Sequence, residues 1–149
     1  MIQYCRGFSP RLSVQAFVQP VNCEGAIDSS LNNEVRALWP FAHHQWQTAC
    51  RVGAVHSGEI FVVATNSLKP PVYILDLPVR FGRDDEFSYD YVRSGLEDLV
   101  RVINSFCIQS VAIAPLLSRR DDADEDEVLR MIGTTLGPLK EKKIFVYGR

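Results

Sequence analysis

A chain of 149 residues, 46% hydrophobic and 23% charged, fits a single globular domain built around one core. Its formal charge of -2 excludes a general attraction to nucleic acid, because such binding rests on neutralising phosphates with Lys and Arg. Only a local basic patch stays open to an anionic partner.

Strands are predicted over residues 2–6 and 16–21, both β-branched or aromatic runs that stop at Gly, Pro or Asn. A helix over 31–38 follows, with Leu31, Val35 and Leu38 on one side, and it stops ahead of Pro40, which disfavours helical geometry in the residue before it. A second helix is expected over 41–51 and strands over 59–64 and 72–77. The helix after Ser88 is marked by Val92, Leu96, Leu99, Ile103 and Phe106, an apolar stripe at three- and four-residue spacing that must face a sheet. A strand over 110–114, a helix over 125–136 and a strand over 143–147 complete the chain. Asp124 and Glu127 stand at capping-box spacing for that last helix. Runs such as VAIA and VYILDL read as strands covered on both faces, so the expected fold is α/β, a three-layer α/β/α sandwich around a mixed sheet. No repeat or linker divides the chain, and one domain over 1–149 is expected.

Metal and thiol chemistry find little support. Cys5, Cys23, Cys50 and Cys107 are far apart and form no CxxC pair, which argues for reduced thiols and a cytoplasmic protein. His43 and His44 are adjacent and so diverge by about 100° on a helix, unlike the i, i+4 pair of a zinc site. The acidic run 122–127 lacks the Gly and Glu positions of a calcium loop. The N-terminus has no signal-peptide pattern, and no run approaches the ~18 apolar residues of a membrane span. No metal, cofactor or membrane partner is therefore expected.

Several segments together carry a family likeness: IQYCRG at the start, VQAFVQPVNCEGA at 14–26, ALWPF at 37–41, ACRVGAVHSGEIFV at 49–62, YILDLPVR at 73–80, SGLEDLV at 94–100 and SVAIAPL at 110–116. With these the chain resembles a macro domain, and more narrowly the DNA ADP-ribosyl glycohydrolase antitoxins of toxin–antitoxin pairs. The resemblance implies an ADP-ribose cleft at the carboxyl ends of the central strands. It places Phe8 where the family carries an acidic or amide residue that reads adenine. Gly25, Ala26, Ile27, Asp28 and Ser29 correspond to a first ligand loop, and Leu117, Ser118, Arg119 and Arg120 to a second. Asn22 and Arg80 are the implied catalytic pair, Arg80 standing at the family's lysine.

The loops depart from the family pattern in a physically telling way. A phosphate-cradling loop needs inward N–H groups and glycine wherever a side chain would block approach, yet the second loop has no glycine and runs into six carboxylates between Asp121 and Glu127. The expectation is that this run caps the final helix and takes the place of phosphate, lowering diphosphate affinity by tenfold or more. Asn22 either orients a ribose or ties a strand end. Arg80 stays protonated and is a poor substitute for a lysine in proton transfer. Phe8 and Phe81 are both candidates to face the cleft.

The favoured expectation is a binding or protein-interaction module with weak or lost ADP-ribose binding and no hydrolase activity, linked through the resemblance to an ADP-ribosyl transferase toxin or an antiphage system. Its partner would be a protein. The alternative is an active hydrolase on modified DNA or protein using Asn22 and Arg80, with nucleic acid present only as modified substrate. A third reading is a site for another nucleotide or small anion, rimmed by Arg80, Arg83, Arg119 and Arg120.

Overall fold

The computed structural model describes residues 1–149. Its strands are β1 (Ile2–Cys5), β2 (Ala16–Asn22), β3 (Phe61–Ala64), β4 (Tyr73–Arg80), β5 (Ser110–Ile113) and β6 (Lys143–Tyr147); its helices are α1 (Ser30–Leu38), α2 (Pro40–Arg51), α3 (Tyr89–Ser105) and α4 (Glu125–Leu136). One sheet orders them β1-β6-β5-β2-β4-β3. All neighbours are parallel except β3, which runs antiparallel along β4. The expected mixed sheet and three layers are present.

Side-chain alternation sorts the two faces. Ala16 and Val18 of β2 point toward α3 and α4, joining Leu75, Leu77 and Val79 of β4 and the α3 stripe Val92, Leu96, Leu99 and Ile103 in the larger core cluster. Phe17, between them in sequence, points the other way and packs with Val35 of α1 and Ala42 of α2. Every residue of β2 except Pro20 is buried, as expected of a central parallel strand covered on both sides. The close approach of α3 to the sheet depends on Gly95, where a Cβ would collide with Leu77 Cδ1. No helix is long and apolar enough to cross a membrane.

Several boundaries differ from the sequence expectations. β2 extends to Asn22 and β4 to Arg80, because these polar residues find partners inside the protein and stay in the sheet. β3 starts at Phe61, not 59, since the Ile60 N–H is taken by Asp98 Oδ2 of α3 at 2.8 Å. β1 ends at Cys5, and α2 begins with Pro40 in its first turn, where a missing N–H costs nothing. The capping box does not form. Asp124 caps α4 by accepting from the Asp126 N–H at 2.9 Å, while Glu127 turns outward to Arg130.

Candidate functional site: a cleft over a buried arginine

Because β2, β4 and β5 run parallel, their carboxyl ends reach the same edge of the sheet, which is where α/β proteins build ligand sites. Asn22 closes β2 and is fully buried. Its Oδ1 accepts from the N–H groups of Glu24, Gly25 and Ala26 at 3.0, 3.0 and 3.2 Å, and its Nδ2 donates to Ala26 O and Asp28 Oδ2, each at 2.9 Å. One amide therefore organises the whole first loop, and its hydrogen-bonding capacity is consumed in doing so. Gly25 serves that turn with φ of +82°, and a Cβ there would crowd Cys50.

Arg80 ends β4 and pairs in register with Asn22. Although charged, it is only 3% exposed. Its guanidinium reaches Asp28 Oδ2 in the first loop at 3.3 Å and Asp121 Oδ1 in the second, so it joins the two loops under the cleft. Arg120 lies 3.8 Å from the same Asp28 oxygen. Burial pushes the Asp121 carboxyl up, but the Ser118 N–H and the Arg80 guanidinium outweigh it and hold the group below its usual value. Two arginines thus face two aspartates, and the floor is charge-balanced rather than basic.

Above this floor lies an open cleft of about 570 Å³. Of the residues expected to touch a ligand, Phe8, Asp28, Ser29, Arg80, Leu117, Ser118 and Arg119 line it. Asn22, Gly25, Ala26 and Ile27 do not. Arg120 lines an adjoining hollow with Asp84, Asp85 and Glu86, and its guanidinium donates to Arg83 O at 2.5 Å. The rim expected from four arginines is therefore divided: Arg80 lies beneath the cleft, Arg119 on it, Arg120 beside it, and Arg83 lines neither hollow. Phe81 is 57% exposed and outside the cleft, whereas Phe8 packs against Tyr147 and Phe17 with ring centroids 5.3 and 5.7 Å away.

The acidic run does not act as a block. Asp121 alone turns inward to Arg80, while Asp124 caps α4, Glu125 pairs with Arg149 at 3.2 Å and Glu127 with Arg130. Sequence reasoning did not place Glu34 or Arg149 on the cleft wall, and it placed Asp121 there only as one member of the acidic run. Glu34 was findable from its i, i+3 spacing to Leu31 on α1, and Asp121 from its spacing to Ser118, whose N–H it accepts at 2.8 Å. For Arg149 no sequence signal existed.

Other polar groups lie away from the cleft. Burial raises both the Cys23 and Cys50 thiols, the latter to about 12, which removes them as nucleophiles. His43 is buried against Trp46, and burial lowers its pKa. No group of three or more His, Cys, Asp or Glu is placed to hold a metal ion.

No protein-family model matches the chain. Solved structures are more informative. The macrodomain of Mycobacterium tuberculosis DarG superposes with a TM-score of 0.95 at 29% identity, covering all of this chain and 98% of that one. The chain has the macrodomain fold. The macrodomain of Thermus aquaticus DarG gives a TM-score of 0.93 at 28% identity, over all of this chain and 99% of that one. Among curated proteins, the DNA ADP-ribosyl glycohydrolase of M. tuberculosis is 29% identical over 147 residues, 99% of this chain. The chain spans 42% of the length of that relative.

Proposed function

We infer that this macrodomain is a binding or protein-interaction module that takes ADP-ribose, or another diphosphate-bearing nucleotide, only weakly in its cleft and does not hydrolyse it. The observation that carries this reading is the condition of Arg80. A guanidinium cannot serve as a base near neutral pH, and here its charge is engaged by Asp28 and Asp121, both nearly buried. A diphosphate would meet a neutral floor and a second loop without glycine. A link to an ADP-ribosyl transferase toxin or an antiphage system, with a protein partner, belongs to the same reading. Incubating the protein with ADP-ribosylated single-stranded DNA tests it: the modification should stay in place, and release of unmodified DNA would refute the reading.

The second reading, an active ADP-ribosyl hydrolase, is favoured by the open cleft and by the likeness to proteins that carry that name. In it Asn22 shapes the ribose side of the cleft and Arg80 stabilises developing charge. Turnover that disappears in Arg80→Ala but survives in Arg119→Ala would support it.

A further inference from the structure

The Asp121 carboxylate rests in a set of donors suited to any small oxyanion. Its Oδ2 accepts from the Ser118 N–H at 2.8 Å and from Ser118 Oγ at 3.1 Å, and its Oδ1 meets the Arg80 guanidinium. A backbone N–H, a hydroxyl and a guanidinium converging on adjacent oxygens is the chemistry by which proteins recognise phosphate and carboxylate. The cradle is already in place: Arg80 is 3% exposed, and Arg149 anchors the Ser118 carbonyl at 2.8 Å. It also opens on the cleft, since Arg80, Ser118, Asp121, Arg119 and Arg149 all line it.

The charge count points the same way. Arg80 and Arg120 balance Asp28 and Asp121, so loss of the Asp121 charge alone would leave this set of four side chains with one positive charge in excess, and of its two arginines Arg80 is the one on the cleft. Arg80 also keeps a buried Nε without a partner, so its donors are not all committed.

We propose that Asp121 is a tethered anion seated in a latent phosphate site formed by Ser118 and Arg80, and that it is the residue setting the cleft's low affinity for phosphate-bearing ligands. The proposal rests on reading the cleft as a ligand site, but it concerns the chain's own carboxylate and is tested without a nucleotide.

Inorganic pyrophosphate is the probe, titrated calorimetrically into the unaltered protein and into Asp121→Asn. The variant gains at least tenfold in affinity, about 1.4 kcal/mol. Adding Ser118→Ala to it removes most of that gain. Asp28→Asn takes the same charge from the same guanidinium but leaves the Asp121 carboxylate in the cradle, and gains less. No gain in Asp121→Asn, or an equal gain in Asp28→Asn, overturns the proposal. Asp121→Gly serves where the asparagine variant does not fold, and both should fold in pyrophosphate buffer if an external anion replaces the tethered one; failure of both to do so also counts against it. A pyrophosphate gain with no ADP-ribose binding by any variant leaves this proposal standing and removes the nucleotide reading. ADP-ribose binding by the unaltered protein with no pyrophosphate gain does the reverse.

Discussion

Asn22 and Arg80 meet on a single atom, Oδ2 of Asp28, which accepts from Asn22 Nδ2 at 2.9 Å and from the Arg80 guanidinium at 3.3 Å. The last residues of two neighbouring parallel strands thus fix the first loop through one carboxylate. The two residues named by the family likeness as a catalytic pair are here also structural partners, each occupied by the loop it holds.

Replacing Asn22 by Ala should therefore unfold the first loop locally and weaken the whole protein. The N–H groups of Glu24, Gly25 and Ala26 lose their shared acceptor, and Asp28 loses a donor. A cost of about 1–3 kcal/mol in urea denaturation is expected, together with faster amide exchange confined to residues 23–29. A variant as stable as the parent would show that the amide is not the organiser of this loop.

Arg80→Met should cost more, about 3–5 kcal/mol, because it leaves Asp121 near-buried without its counter-charge and Asp28 with only the more distant Arg120. The deficit should shrink as pH falls, because the Asp121 carboxyl, no longer held low by the Arg80 guanidinium, takes up its proton more readily in the variant. Comparing urea midpoints of variant and parent at pH 5 and pH 8 checks both the size and the direction.

A third buried carboxyl governs a different pH window. Asp76, in the middle of β4, accepts from Gln19 Nε2 at 2.7 Å, and Gln19 Oε1 in turn accepts from Asn32 of α1 at 3.1 Å. Burial raises Asp76 to about 7, against an opposing contribution from Gln19. The folded chain therefore holds a proton that the unfolded chain releases near pH 3.9, and stability declines between about pH 4 and pH 7 by at most ~1.4 kcal/mol per unit, then levels off. Asp76→Asn should flatten this decline and be more stable than the parent at pH 8. Asp121 acts oppositely: held low, its contribution is lost only as the solution becomes more acid than the ordinary carboxylate range.

Gly95→Ala should destabilise by about 1–3 kcal/mol through overpacking, since Leu77 is fully buried and has little room to yield. Thermal melts of this variant and of Gly95→Ala combined with Leu77→Val would show the smaller side chain recovering part of the loss.

The fold was largely legible because its signals are local. The α3 stripe, the β-branched runs and the stop before Pro40 each lie within one element, and each element appears where its pattern stands. The strand ends were not, since polar residues such as Asn22 and Arg80 look like loop until their partners are known, and those of Arg80 lie 52 and 41 residues away in the chain. The same holds for Asp76, whose place inside β4 depends on Gln19 and Asn32. In the acidic run, adjacency in sequence suggested one shared role, but the backbone turns between Asp121 and Glu127 send these side chains to separate partners.

The most direct measurement is the calorimetric affinity of the unaltered protein for ADP-ribose. With Arg80 engaged by two aspartates, a dissociation constant weaker than about 100 µM, or about 5.5 kcal/mol of binding free energy, is predicted. Saturable binding at low micromolar concentration would contradict the account of a cleft whose one buried cation is already occupied.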